Sequence, residues 1–269
     1  MDELTLKVEA GSEAHWYYAN GLSQHTMESS DGTTRNTNLR DARKLGLFPS
    51  VTEVIKILAN FGITKWYQGM LIEAAWTMPD KFRGESYTMF AERCYQDADQ
   101  FGADAREFGS AIHEMIDRFH NDPDYVPNDQ LLWPYFEKYK AWFKANIIRV
   151  IDSERTVVNT KYGYAGTMDL LAEHQEHGTV LIDFKTQNMK YGRPNYYDSW
   201  PLQLAAYREC IEPKPRCLSV VINSKEPMDP FEKLWSDQKT KTSWDVFRRC
   251  TEIWQLQRNY FPQKQEVPA

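Results

Sequence analysis

Asp169, Asp183 and Lys185 are the residues of this chain whose types and spacing could do chemistry: two acids able to hold a cation, and an amine two positions beyond the second acid. All three lie in one stretch, GYAGTMDLLAEHQEHGTVLIDFKT, at 163–186. Its halves, Gly163 to Ala172 and Thr179 to Lys185, are rich in apolar or β-branched residues. The connector His174-Gln175-Glu176-His177-Gly178 is polar and closes on a glycine, the layout of a hairpin. With the turn centred on Glu176, Asp169 and Asp183 lie seven residues either side of it and face each other across the ladder. Cross-strand neighbours have Cβ atoms roughly 4.5–5.5 Å apart, so like charges there repel unless something positive lies between them. A divalent cation meets that need.

Side chains alternate along a strand, so Asp183 and Lys185 share one face while Ile182 and Phe184 turn to the other, into apolar packing. An acid and a lysine two apart are more often a surface salt bridge than a site. Against the surface reading, Val180-Leu181-Ile182 is apolar on both faces, which marks a covered central strand.

Other elements must bring further groups to the hairpin. A helix from Phe101 to His120 buries Phe108, Ile112, Met115, Ile116 and Phe119, with His113 beside that stripe. Gly109, one turn earlier, leaves space next to the imidazole, and Asp117, one turn later, can hold the ring by its other nitrogen. Such a histidine alone is more often packed or exposed than a ligand; the hairpin acids turn the odds. Glu154, in a strand from Arg149 to Thr160, ranks second as an extra ligand or substrate contact, since a lone strand glutamate is usually a surface charge. Residues 184–197 carry Lys185, Lys190 and Arg193 with no acid, plus Tyr191, Tyr196 and Tyr197, the composition of a loop that could bind a phosphate backbone. A chance mixture in a flexible loop is nearly as good an account. A helix starting near Pro201 places Gln203 and Tyr207 four apart on one face.

The remaining text is scaffold. Residues 1–47 read as an irregular extension or β-hairpin, with Arg40, Arg43 and Lys44 on a solvated turn. Ser50 and Glu53 make a capping-box signature ahead of Val51, Val54, Ile55 and Leu58 at helical spacing. Helical text through Trp66, Leu71, Ile72, Ala75 and Trp76 predicts a layer over one edge of the core, its tryptophans packed inward rather than stacked on bases. Amphipathic helices are expected over 131–148 and 242–260, and a strand from Arg216 to Asn223.

With 269 residues the chain can bury a full core, read as an extension over 1–48 and a single domain over 49–269. A net charge of −6 gives no bulk basic field for nucleic acid, so any such binding must rest on local patches or bound metal. No apolar signal-like run or membrane-length stretch is present, so a soluble intracellular protein away from membranes is expected. Cys94, Cys210, Cys217 and Cys250 contain no Cys-x-x-Cys pair and read as ordinary buried thiols.

The order Gly109-x-x-x-His113, Gly166-Thr167-Met168-Asp169, Asp183-Phe184-Lys185-Thr186, then Gln203-Leu204-Ala205-Ala206-Tyr207 resembles the RecB-type branch of the PD-(D/E)XK nuclease superfamily. That branch includes phage and mitochondrial exonucleases, recombination nucleases and CRISPR-associated nucleases. The likeness spans residues 109–207, and Pro49-Ser50-Val51-Thr52 is similar to an N-terminal element of some members. It departs at Met168, where the signature has proline. The resemblance implies an α/β, restriction-endonuclease-like core: a central mixed sheet flanked by helices, with an extra N-terminal helical layer. It implies that His113, Asp169, Asp183 and the carbonyl of Phe184 bind Mg²⁺ or Mn²⁺, that Lys185 is catalytic with Asp183 and Asp169, and that Gln203 and Tyr207 shape the site or touch DNA. Members with an iron-sulphur cluster have clustered late cysteines; Cys210 and Cys217 are too far apart for that, so no cluster is expected.

The function expected is therefore a metal-dependent deoxyribonuclease, preferably an exonuclease acting on DNA ends or single strands in repair or recombination. An endonuclease, a catalytically silent nucleic-acid-binding subunit of the same fold, and a metal hydrolase of small phosphate esters stay open as alternatives.

Overall fold

A computed structural model describes residues 15–29, 31–58, 61–78, 84–122, 124–189 and 192–262. In chain order the elements begin with β1 (Trp16–Tyr17), β2 (Thr26–Glu28), β3 (Thr34–Asn36), α1 (Leu39–Leu45), β4 (Phe48–Pro49), α2 (Val51–Ile55) and α3 (Phe61–Thr77). They continue with α4 (Tyr87–Asn121), α5 (Trp133–Asn146), β5 (Ile147–Asn159), β6 (Tyr164–His174), β7 (Gly178–Gln187), α6 (Ser199–Arg208), β8 (Arg216–Asn223), β9 (Phe231–Leu234) and α7 (Asp237–Arg258).

A five-stranded mixed sheet in the order β5-β6-β7-β8-β9 is flanked by helices. The β6–β7 hairpin runs from Leu170 opposite Ile182 to His174 opposite Gly178, the register that a turn centred on Glu176 demands. Gly178 closes it with a φ of 68°, which a glycine adopts without steric cost. β8 lies parallel to β7 after the α6 crossover, and β9 adds antiparallel to β8. β7 is therefore central, and Val180-Leu181-Ile182 is buried, as its two-faced apolar text requires.

Alternation divides the hairpin between two cores. Leu170, Ala172, Val180, Ile182 and Phe184 pack against Ile112, Met115, Ile116 and Phe119 of α4 and Phe136, Tyr139 and Trp142 of α5. Leu171 and Leu181 face a second core built from Val51 and Val54 of α2, Leu204 and Tyr207 of α6, and Phe247 and Trp254 of α7. Tyr164 and Met168 belong to that second core as well, although they have the same parity as Leu170 and Ala172. The side-chain period of β6 thus slips at Asp169. On β5, Glu154 stands between the pairs Ser153–Leu170 and Arg155–Met168, with a φ of 48°. Both strands change course at one level of the sheet.

The N-terminal segment is tied to the C-terminal one. Trp16 packs in the second core, its ring 6.1 Å from that of Trp254. The Tyr260 hydroxyl lies 2.8 Å from the carbonyl oxygen of Ala42 and 2.7 Å from that of Leu47, and Arg43 Nη2 donates to the carbonyl of Arg258.

Several expectations need correction. Arg40, Arg43 and Lys44 lie on helix α1 rather than on a turn; Asn38 and Asp41 form a full capping box and Gly46 ends the helix with a φ of 68°. The β2–β3 hairpin before it is one of the two forms expected of this segment. α2 stops at Ile55, so Leu58 is outside the helix and exposed. α4 starts at Tyr87 behind the N-cap Ser86, well before Phe101. On α3, Trp66 is 43% and Trp76 88% exposed, so neither tryptophan is core. β9 was not foreseen, its residues being only half-buried. All four cysteines are free thiols, and Cys94, Cys217 and Cys250 are buried. Among the described residues no helix is long and apolar enough to cross a membrane.

Candidate active site

β7 carries Asp183 and Lys185 on one face, and the side chains meet. Lys185 Nζ donates to Asp183 Oδ1 at 2.8 Å and to Gln203 Oε1 at 3.1 Å, while Gln203 Nε2 donates to the Tyr207 hydroxyl at 3.4 Å. α6 thereby braces the lysine from the far side. Asp183 is 1% exposed, and its second oxygen, Oδ2, is buried without a hydrogen-bond partner among the described residues. Burial raises the Asp183 pKa, the ammonium of Lys185 pulls it back, and Asp169 pushes it up again; the net direction is upward. Burial, with help from the charge of Asp169, also holds the Tyr207 phenol well above its usual value.

Asp169 sits where β6 leaves the ladder. Its Oδ2 accepts the backbone N–H of Phe184 at 2.7 Å, so a carboxylate replaces a strand carbonyl at that position. His113 Nδ1 approaches the same oxygen to 3.8 Å from α4. Ligand atoms of His113, Glu154 and Asp169 all lie within 4.8 Å of one another. Glu154 is an exposed residue, yet its carboxyl is partly enclosed and is pushed up to about 7, first by that desolvation and then by the charges of Asp169 and Asp117. Asp169 thus lies beside His113 and Glu154, while Asp183 pairs with the Lys185 ammonium.

Two glycines make the approach possible. A Cβ on Gly166 would lie 2.8 Å from Cε1 of Tyr207, so the tyrosine crosses the strand where a side chain has been left out. A Cβ on Gly109 would meet Thr186 Oγ1 at 3.1 Å. Gly109 thus admits β7 against α4, rather than opening space for the imidazole as the sequence suggested. Asp117 does not orient His113 either: Ser153 Oγ donates to its Oδ1 at 3.3 Å and Asn121 Nδ2 at 3.0 Å.

Of the sequence candidates, His113, Asp169, Asp183, Lys185, Gln203 and Tyr207 come together. Phe184 contributes its N–H to Asp169, and its ring packs in the first core. Arg193 is exposed on the loop that Gln187 fastens by accepting from Asn195 N and donating to Asn195 O. Lys190 and Tyr191 lie outside the described residues. Glu154, a second-rank candidate in the sequence, lies with His113 and Asp169; Tyr17, whose hydroxyl lies 3.3 Å from Thr167 Oγ1, was not among the candidates. No pattern in the text of β1 announces that contact.

A second group of ligand types, His174, His177 and Glu232, lies at the turn end of the hairpin. Its imidazoles stack with centroids 4.5 Å apart and planes 7° from parallel, so their in-plane lone pairs do not converge. Glu176 N–H donates to His174 Nδ1, and Glu232 Oε1 accepts from Trp142 Nε1. This is a hydrogen-bonded closure of the sheet end.

No protein-family model matches the chain, and no curated protein matches it. Among solved structures it is similar to a "Putative exonuclease" from Eubacterium rectale, at 12% identity and a TM-score of 0.38, over 58% of this chain and 68% of that one. It is also similar to SSO0001, at 13% identity and a TM-score of 0.33, over 77% of this chain and 88% of that one. Both likenesses are too distant to assign a family, and the site is read from its own geometry.

Proposed function

We propose that the chain is a Mg²⁺- or Mn²⁺-dependent deoxyribonuclease of the RecB-type PD-(D/E)XK kind, with a restriction-endonuclease-like core, acting from DNA ends or on single strands. The observation that carries this reading is Asp183 Oδ2, buried and without a hydrogen-bond partner among the described residues, in a carboxylate that feels the charges of Lys185, Asp169 and His113. A buried anionic oxygen without a partner is costly. Hard carboxylate oxygens suit a divalent cation, and the imidazole favours Mn²⁺ beside Mg²⁺. The motif order from Gly109 to Tyr207 points the same way.

His113, Asp169 and Asp183 would hold the ion, with the Phe184 carbonyl as a further ligand. Such an ion lowers the pKa of a bound water and relieves charge on the phosphoryl oxygens. Asp183 Oδ1 and Gln203 keep the Lys185 ammonium fixed at the edge of the acid cluster, where it can orient the attacking water or donate to a phosphate oxygen. Tyr207 holds Gln203 in turn. Lys190 and Arg193, in the sequence between β7 and α6, would touch the DNA backbone.

The test is digestion of end-labelled linear DNA with Mg²⁺ or Mn²⁺. Lys185→Ala and Asp183→Ala should each abolish it while the circular-dichroism spectrum is kept. Digestion by either variant at the wild-type rate would sink the assignment. Sparing of closed circular single strands identifies an exonuclease; their cleavage identifies an endonuclease.

A further inference from the structure

We infer that Glu154 is a protein ligand of the cation, joining His113 and Asp169 in a three-ligand position on the β5 side of Asp169. The inference rests on the metal-dependent reading above and extends it to a residue outside the motifs that suggested that reading.

The ligand atoms of these three residues lie within 4.8 Å of one another, a grouping that does not include Asp183. Asp183 has one oxygen engaged by Lys185 and the other unbonded. Asp169 therefore stands between two carboxylates, Glu154 toward β5 and Asp183 toward the sheet centre. The three groups come from three elements: α4, β5 and β6.

The rival account is that Glu154 only shapes the strand. Its φ of 48° does accompany the slip in side-chain period at Asp169. A kink alone, however, is served better by glycine or asparagine, which enter that region at little cost, than by a long acidic side chain. A glutamate there adds a third carboxyl to a site that already holds two, Asp169 and Asp183. Repulsion of that kind is tolerated where a cation offsets it. The donor set of one imidazole and two carboxylates suits Mn²⁺ better than Ca²⁺.

The experiment is titration of the full chain with Mn²⁺, read by loss of the free-ion electron paramagnetic resonance signal, with thermal melts run in parallel. Glu154→Gln should weaken Mn²⁺ binding by about tenfold or more, the scale on which lesser changes around metal sites already act. Glu154→Gly adopts the positive φ without strain. It should melt at or above the wild-type temperature in the absence of metal and still show the weakened binding. That combination cannot arise from a purely structural role. If Glu154→Gln and Glu154→Gly bind Mn²⁺ as tightly as wild type while Asp169→Asn does not, Glu154 is no ligand and the metal-dependent reading survives. If the wild-type chain binds no Mn²⁺, both fall.

Discussion

Asp183 carries a conflict between its charge and its surroundings. Leaving Oδ2 buried and unbonded costs on the order of 1–3 kcal/mol. Its folded pKa stands above the unfolded value, so across the pH range just above ordinary aspartate titration the folded chain binds more protons. Stability of the metal-free protein therefore falls as pH rises through that range. Asp183→Asn should stabilise the metal-free protein at neutral pH, read as a higher denaturation midpoint, while ending metal-dependent cleavage. An unchanged midpoint would show that the carboxylate is not strained. His120 works in the opposite sense. Burial between Tyr139 and Ser153 lowers its pKa to about 4 from 6.5, so the unfolded chain binds the extra proton and stability falls as pH drops through that window. The slope is at most about 1.4 kcal/mol per pH unit. Denaturant melts of His120→Gln should be less stable overall and lack this acid-side loss.

Elements meet at the site through missing side chains. Gly166→Ala would drive a methyl into the Tyr207 ring, and such overpacking costs roughly 1–3 kcal/mol. Combining it with Tyr207→Ala should recover most of that loss, so a double-mutant cycle should give a coupling energy well above the roughly 0.5 kcal/mol seen for independent sites. The hairpin was legible because its polar turn, closing glycine and alternation all specify one register. The long amphipathic parts of α4, α5 and α7 were legible from their apolar periodicity. α1 was not, since seven residues with one buried side chain leave almost no period to read. The exposure of Trp66 and Trp76 was invisible for a related reason: α3 is apolar around much of its circumference, and sequence cannot say which side is covered. Glu154 ranked second because a lone strand glutamate reads as a surface charge; the positive φ that sets it apart is not encoded in strand-like text. The motif residues lie together in space, while Ser153, beside the Asp169 carbonyl, and Tyr17, beside Thr167, carry no motif that would have named them.

At the scale of the molecule, charge opposes the proposed substrate. The chain is net −6 and its candidate site gathers acids, so on the proposed reading DNA would meet repulsion there until a cation is bound. A chelator should therefore abolish DNA retention as well as cleavage, measured by gel shift. Retention of DNA at full strength under chelation would place the binding surface elsewhere. Mn²⁺ without DNA should raise the melting temperature, because an ion that binds only the folded chain adds about 2.7 kcal/mol at a hundredfold excess over its dissociation constant. Asp169→Asn should lose that gain.

Tyr260 anchors to Ala42 and Leu47 while Trp16 rests on Trp254, so the first and last described stretches of the polypeptide clasp one another. Clipping the backbone at the exposed turn of Gly84, which separates Trp16, Ala42 and Leu47 from Trp254 and Tyr260, would leave two pieces that stay associated through a chromatography column. Tyr260→Ala would remove the contacts to Ala42 and Leu47, and the pieces should then part at a lower denaturant concentration.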